Sequence, residues 1–464
     1  MSRLDFGIIG LGVMGKNISL NVAEKGFNLS VYNQSEGDEL HVVDDFLLVN
    51  KSFKNITGFT DLGAFVNSLE QPRKMLLMIP AGKPVDSVIG TLIPLLSEGD
   101  VIIDGGNSHY SNTKKRFELL KSKNIEFLGT GISGGEEGAR NGPSIMSGGS
   151  NAGYKKVSGI FEAISARDFQ GNSCCTFIGP EGAGHFVKMV HNGIEYVEMQ
   201  LLAELYALMS GSMNNENISE VFSFWNEGDL SSYLLEITSE ILLKKEGEHY
   251  VTDLILDKAE NKGTGSWSCT SALELGIPNT MTTASVFARY ISSFKDERVK
   301  FSKRIEKKSS ITENFNIDEL KSAYQLARII NHHQGLELIT EASKTFNWNL
   351  NLSDITRIWT GGCIIKSKLM EHSVSVLKLS KSILDDNETF NSIVKSEQSI
   401  TLLLKEGMSK RIALPCFNSA YNYWISMTTD ALPANIIQAQ RDYFGAHTYQ
   451  RVDEPLHKFF HTNW

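Results

Sequence analysis

Phe6-Gly7-Ile8-Ile9-Gly10-Leu11-Gly12-Val13-Met14-Gly15 stands almost at the start of the 464-residue chain, and its reading decides the fold. Phe6 to Ile9 reads as a strand, and Lys16 to Lys25 as a helix that ends at Gly26. Between them lies a Gly-x-Gly-x-x-Gly turn. Gly10 permits a tight bend, Gly12 lets the backbone approach a pyrophosphate, and Gly15 allows close helix–strand packing. The helix N-terminus then offers free amides and a partial positive charge to that pyrophosphate. A glycine turn alone could be purely structural. Placed after a strand and before a helix, residues Gly10, Leu11, Gly12, Val13, Met14 and Gly15 read as a dinucleotide-binding loop.

Working outward, Leu29 to Tyr32 is a second strand. Lys74 to Ile79 (KMLLMI) and Val101 to Asp104 (VIID) are apolar strands of the kind a parallel sheet covered on both faces requires. Repeated strand–helix–strand units imply a doubly wound α/β domain. From about Gly182 the pattern changes to long helical segments, and after Leu432-Pro433 it becomes a short helix with an extended tail. The predicted architecture is an α/β Rossmann-like dinucleotide-binding domain (1–181), a large all-α domain (182–440) and a short C-terminal tail (441–464).

Enzymes that use NAD usually carry an acid at the end of the second strand, where it accepts from the ribose hydroxyls. Here that region reads Tyr32-Asn33-Gln34-Ser35. It holds neither an acid nor an arginine, so these residues leave both NADP and NAD open.

The segment HFVKMVHNGIEYVEMQLLAELYALM runs for about seven turns without a proline. Lys188, His191, Asn192, Glu195 and Tyr196 recur at i, i+3, i+4, i+7 and i+8, which puts all five on one face. A solvated face would mostly repeat Lys and Glu. This one mixes His, Asn and Tyr with one Lys and one Glu, and Phe186, Val187, Met189, Val190, Ile194 and Val197 cover most of the remaining circumference. The pattern predicts a buried helix carrying a functional stripe.

The formal net charge of −9 argues against a nucleic-acid partner, which demands a basic surface. It leaves room for an anionic small molecule held by a few local cations. Five cysteines, an odd and sparse set, fit a reducing compartment, and Cys174-Cys175 reads as a pair of core or turn thiols. No run approaches the roughly eighteen apolar residues that span a membrane, and no secretory signal opens the chain, so a cytoplasmic location is expected. No metal-ligand cluster appears. His332-His333 reads as a polar helix surface without a role, and Trp359 to Cys363 as helix packing.

The same helix carries a family resemblance. Gly184 to Tyr196 (GHFVKMVHNGIEY) closely resembles the catalytic helix of 6-phosphogluconate dehydrogenases. Further matching motifs follow in order along the chain: Ile103 to Ser108 (IDGGNS), Gly131 to Arg140 (GISGGEEGAR), Lys262 to Gly265 (KGTG), Phe287-Ala288-Arg289, Trp359 to Ile365 (WTGGCII) and Leu432 to Tyr449. The related 3-hydroxyacid dehydrogenases share the glycine loop and a lysine helix, but resemble the later motifs poorly.

The resemblance implies an enzyme that oxidises and decarboxylates 6-phosphogluconate with NADP, as a homodimer with shared active sites. It implies Lys188 as general base and Glu195 as proton donor. Asn107, Ser133, Gly134, Gly135, His191 and Asn192 would contact the substrate, and Tyr196, Lys262, Arg289 and Arg441 its phosphate. Arg441 and His447 would complete the partner's site. Asn33, Gln34, Ser35, Ile79, Pro80, Ala81 and Asn107 would join the glycine loop in holding the cofactor. Three positions depart from the family pattern. Gln34 and Pro80 replace basic residues near the expected 2′-phosphate, which weakens the NADP preference and admits NAD; Ser266 replaces a lysine.

Overall fold

The computed structural model describes residues 3–260, 263–305 and 316–464. Eight strands form one sheet: β1 (Phe6–Ile9), β2 (Leu29–Tyr32), β3 (Ile56–Phe59), β4 (Lys74–Leu77), β5 (Val101–Asp104), β6 (Glu126–Ile132), β7 (Ile145–Gly149) and β8 (Cys175–Gly179). Their spatial order is β3-β2-β1-β4-β5-β6-β7-β8, so the chain reverses direction across the sheet between β1 and β4. Register is set by apolar residues on neighbouring strands, with Ile8 opposite both Val31 and Leu76. Alternate residues supply two separate cores. Phe6, Ile8, Val31, Leu76 and Ile103 pack on one face, and Ile9, Met75, Leu77, Ile102 and Phe127 on the other. That two-sided burial is why the strands read as apolar runs rather than alternating ones.

The sheet is not wholly parallel. β7 runs antiparallel to β6, and β8 runs parallel to β7. The connection from β6 is spent on the seven-residue helix Gly135–Asn141, which lies against the helix Val13–Glu24. The chain therefore re-enters the sheet at the end it left and runs back.

The helix Ala183–Met209 starts directly after β8 and crosses the sheet on glycines. A Cβ on Gly184 would lie 2.4 Å from the Gly129 carbonyl oxygen and 2.5 Å from the Gly148 nitrogen, so only glycine allows this approach. Its remaining faces are covered by the helices Thr264–Leu275, Thr280–Ser293 and Ile317–Thr345. The stripe helix is thus interior, as its apolar circumference predicts, with all residues from Ala183 to Ile194 buried.

The expectation for His332-His333 is overturned: both side chains are buried, not on a helix surface. His332 Nε2 lies 3.1 Å from the Glu198 carboxylate, which also accepts from Arg328 Nε (3.1 Å), Tyr324 Oη (3.3 Å) and Asn331 Nδ2 (3.4 Å). His333 bridges the Tyr423 and Ser382 hydroxyls at 3.0 and 3.2 Å. Tyr324, Arg328, Asn331 and His332 share one face of their helix and lock it onto the helix Ala183–Met209. Burial alone would raise the Glu198 pKa, but Arg328 and His332 outweigh it and hold the carboxyl at about 2.

At the end of the chain, the helix Ala434–Gly445 and the residues after it fold on themselves around Asp442. This buried carboxylate accepts from Thr448 N, Thr462 N, Trp464 Nε1 and His461 Nδ1, all within 3.0 Å. Leu432, Ile436, Ile437, Tyr443 and Phe444 remain exposed on the outside of the same segment. Among the described residues no helix is long and apolar enough to cross a membrane.

Candidate active site

Loops after β1, β2, β4 and β5 gather at one edge of the sheet, where open α/β sheets bind ligands. Gly10 has φ +98°, and a Cβ there would lie 2.5 Å from the Met78 carbonyl oxygen. A Cβ on Gly15 would lie 1.9 Å from the Gly10 carbonyl oxygen, which fixes the helix against the turn. Nothing lies within 4 Å of the Cβ position of Gly12, so that glycine faces open space. The helix itself starts at Val13, earlier than the sequence reading, and has no side-chain cap. Free first-turn amides beside an open glycine fit a pyrophosphate.

The Asn33 side chain turns inward. Its Oδ1 accepts from the Leu11 amide at 2.9 Å, and its Nδ2 donates to the Gln34 carbonyl and to Glu39 Oε2, both at 3.0 Å. Gln34 is exposed, and Ser35 Oγ donates to the Leu40 carbonyl at 3.0 Å. Ile79 packs beneath Gly10, and Pro80 and Ala81 are exposed at the rim. Asn107 is exposed on a turn shaped by the buried Asp104, which accepts from Gly106 N, Ser108 Oγ and Arg116 Nη1.

Across this edge stands the polar stripe. Lys188 and His191 are buried, with Lys188 Nζ 3.4 Å from His191 Nδ1. The same Nδ1 lies 3.1 Å from Asn192 Oδ1 and 3.8 Å from Glu195 Oε2, and His191 Nε2 lies 3.1 Å from Ser133 Oγ. Nδ1–H can donate to Asn192 Oδ1 while Nε2 accepts from the Ser133 hydroxyl; this tautomer leaves the Lys188 amine unclaimed. β6 presses on Lys188 from below, since a Cβ on Gly131 would lie 2.3 Å from the Lys188 Cβ. Gly134 and Gly135 have φ +106° and +61°, and the turn Gly361-Gly362 of the helical half backs them. A Cβ on Gly134 would lie 2.7 Å from the Gly362 carbonyl oxygen. At the outer end, the Arg289 guanidinium lies 3.5 Å from the centre of the Tyr196 ring.

Burial governs the protonation of this group. It lowers the Lys188 pKa, with Glu195 partly opposing, and raises that of Glu195, with Lys188 and Arg289 opposing. Burial and then Lys188 push His191 well below its ordinary value. All three shifts favour the uncharged form of the group concerned, in a cluster placed to exchange protons with a bound molecule.

The structure therefore gathers Lys188, His191, Asn192, Glu195, Tyr196, Ser133 and Arg289. Lys262 lies outside the described residues. Arg441 and His447 sit on the tail, where Arg441 Nη1 donates only to Gln438 among the described residues and the His447 ring faces Phe444. Trp359 and Cys363, read from sequence as packing, form a wall of the site: the Trp359 ring meets His191 edge-on at 5.6 Å, and Cys363 is buried near Lys188. Their signal was present in the motif, but apolar residue types gave no chemical reason to weigh it.

Comparison with known proteins agrees with this geometry. Residues 5–179 match the family model for the NAD binding domain of 6-phosphogluconate dehydrogenase, and residues 184–464 the model for its C-terminal domain. The decarboxylating 6-phosphogluconate dehydrogenase of Lactococcus lactis is 43% identical, covering 100% of this chain and 99% of that protein. The NADP(+)-dependent decarboxylating enzyme of Bacillus subtilis is 45% identical over the full length of both. The Plasmodium falciparum 6-phosphogluconate dehydrogenase, solved in apo form and in complex with NADP+ and with 6-phosphogluconate, superposes with a TM-score of 0.94 at 40% identity, covering 99% of this chain and 100% of that one. A 3-hydroxyisobutyrate dehydrogenase from Salmonella typhimurium shares the fold alone, at 16% identity and a TM-score of 0.50 over 64% of this chain. With both halves matched in order and the Lys188–His191–Glu195 stripe in place, the chain belongs to the 6-phosphogluconate dehydrogenase family.

Proposed function

We propose that this chain oxidises 6-phosphogluconate at C3 and decarboxylates it to ribulose 5-phosphate and CO2, with NADP as cofactor. The observation that carries the reading is the buried pair Lys188 and His191, with the partly buried Glu195 beside them, facing the Ser133-Gly134-Gly135 loop. When bound at the Gly10–Gly15 cradle, NADP supplies the hydride acceptor. Neutral Lys188 takes the proton of the 3-hydroxyl as hydride leaves C3. The resulting 3-keto acid loses CO2 because its ketone accepts the electron pair. Protonated Lys188 then donates to that oxygen as negative charge develops on it. Glu195, whose pKa burial raises, delivers a proton to C1 of the enediol. His191, fixed by Ser133 and Asn192, orients the substrate, and the Ser133-Gly134-Gly135 loop donates hydrogen bonds to its carboxylate or adjacent hydroxyls. Tyr196, Arg289 and Lys262 hold the phosphate, each charge-assisted bond contributing about 1.5–3 kcal/mol.

Arg441 and His447 complete the site of a second copy in a homodimer, and residues 1–181, 182–440 and 441–464 act as cofactor domain, helical domain and reaching tail. The exposed apolar residues of the helix Ala434–Gly445 support this reading, because a two-fold partner would cover them. Five free cysteines, four of them buried, accord with a cytoplasmic location. The test is direct: purified protein, 6-phosphogluconate and NADP should give reduced nicotinamide, CO2 and ribulose 5-phosphate in equal amounts. Reduction without CO2 release would refute the decarboxylating step.

A further inference from the structure

The end of β2 has no acid in the sequence, but the fold brings one back. The Leu11 amide is a donor only, so Asn33 must present Oδ1 to it. That bond fixes the amide plane and aims Nδ2 at the Gln34 carbonyl and Glu39 Oε2. Glu39, six residues further along the chain, is thereby tethered to the side chain at the position where NAD enzymes carry their ribose-binding acid. Asn33 links it at the same time to the glycine loop. Glu39 forms no ion pair among the described residues, and the stretch from Tyr32 to Asn50 contains no Lys or Arg. Glu36 and Asp38, exposed in the same loop, add to the negative charge.

We propose that Glu39 is a cofactor-specificity residue: its carboxylate opposes a 2′-phosphate and offers an acceptor to a free ribose hydroxyl, so NAD is a working second cofactor. This rests on the reading of Gly10–Gly15 and Asn33–Ser35 as the dinucleotide site. A 2′-phosphate carries nearly two negative charges, and repulsion near a solvated surface is weakened by salt. The preference for NADP must then come from contacts other than this loop, while the loop itself works against it.

The test compares wild type and Glu39→Gln by titration calorimetry with 2′,5′-ADP and with 5′-ADP, which lacks the 2′-phosphate. The substitution should tighten 2′,5′-ADP by about tenfold at low ionic strength, leave 5′-ADP no tighter, and lose most of its effect at high salt. In steady-state assays the NADP-to-NAD ratio of kcat/KM should rise in parallel. A change of less than twofold in 2′,5′-ADP affinity would overturn the proposal. So would equal tightening of both nucleotides, which would mean repulsion of any phosphate. Should neither nucleotide bind the wild type, the cradle itself is refuted and this proposal with it. If NAD and NADP bind but 6-phosphogluconate is not oxidised, the catalytic reading fails while the calorimetric result still decides the role of Glu39.

Discussion

Glu198→Gln should be among the most destabilising single substitutions in the helical half. Glu198 and Arg328 are both buried, and burial separates them from water on all sides. The Glu198 carboxyl falls from 4.5 to about 2, a shift equivalent to about 3 kcal/mol of folded-state preference for the ionised form. Removing that charge leaves the Arg328 guanidinium with neutral acceptors, the new amide oxygen and the Leu230 carbonyl, and no counter-ion. A buried pair broken from one side costs about 3–5 kcal/mol, because the surviving charge is left uncompensated. Trp225, fully buried and stacked on Tyr324 at 6.2 Å, reports on this region through its fluorescence. Urea unfolding at neutral pH should show the loss in Glu198→Gln. The double variant Glu198→Gln/Arg328→Met should be more stable than the sum of the two single changes. The sign with pH follows from the lowered pKa: the contribution is complete above about 4.5 and disappears as pH falls towards 2. A single variant that loses less than about 1 kcal/mol, or a double variant that is simply additive, would refute the compensated-charge argument.

Lys188→Met should lower turnover at least a hundredfold, roughly the smallest effect of losing a general base, while NADP affinity measured by fluorescence stays within a factor of about two. The profile of kcat/KM should be bell-shaped, because turnover needs Lys188 without its proton and Glu195 with one, and burial moves the two towards neutrality from opposite sides. A flat profile across the neutral range would refute that assignment. Mixed dimers of Arg441→Ala and Lys188→Met subunits should recover a fraction of wild-type activity if each site draws Arg441 from its partner; verified heterodimers that stay inactive would exclude the shared site.

What the sequence discloses here depends on how far apart the interacting residues lie. The glycine loop and the stripe from Lys188 to Tyr196 are each contained within a few turns of chain, and periodicity alone places them. Glu39 is hidden because a short turn, ending in the single 3-10 turn Gly37–Glu39, returns it to Asn33, and no periodic rule describes that return. His332 is hidden for a stronger reason. Two adjacent histidines resemble a solvated surface unless one knows that Glu198, more than a hundred residues earlier, is buried opposite them. The turn after β6 belongs with these cases: Gly135–Asn141 is visible in the sequence as part of a motif, but not as a helix that lies on another and sends β7 back antiparallel.

Glu195 and Glu198 show what separates a reactive carboxylate from a structural one on a single helix. They stand three residues apart, nearly one turn, and desolvation acts on both in the same direction. Glu198 meets a guanidinium, an imidazole, an amide and a phenol, and is held at about 2. Glu195 lies 3.8 Å from the His191 ring and feels Lys188 and, less strongly, Arg289, which do not offset burial, so its pKa rises. The fold supplies a complete set of partners on the side facing Ile317–Thr345 and leaves it incomplete on the side facing Ser133. A bound molecule with a hydroxyl to give its proton to Lys188 and an anionic end for Arg289 fits that second side. A phosphorylated sugar acid has both, and among the described residues no ion pair between lysine or arginine and a carboxylate fixes the charge of Lys188 or Glu195.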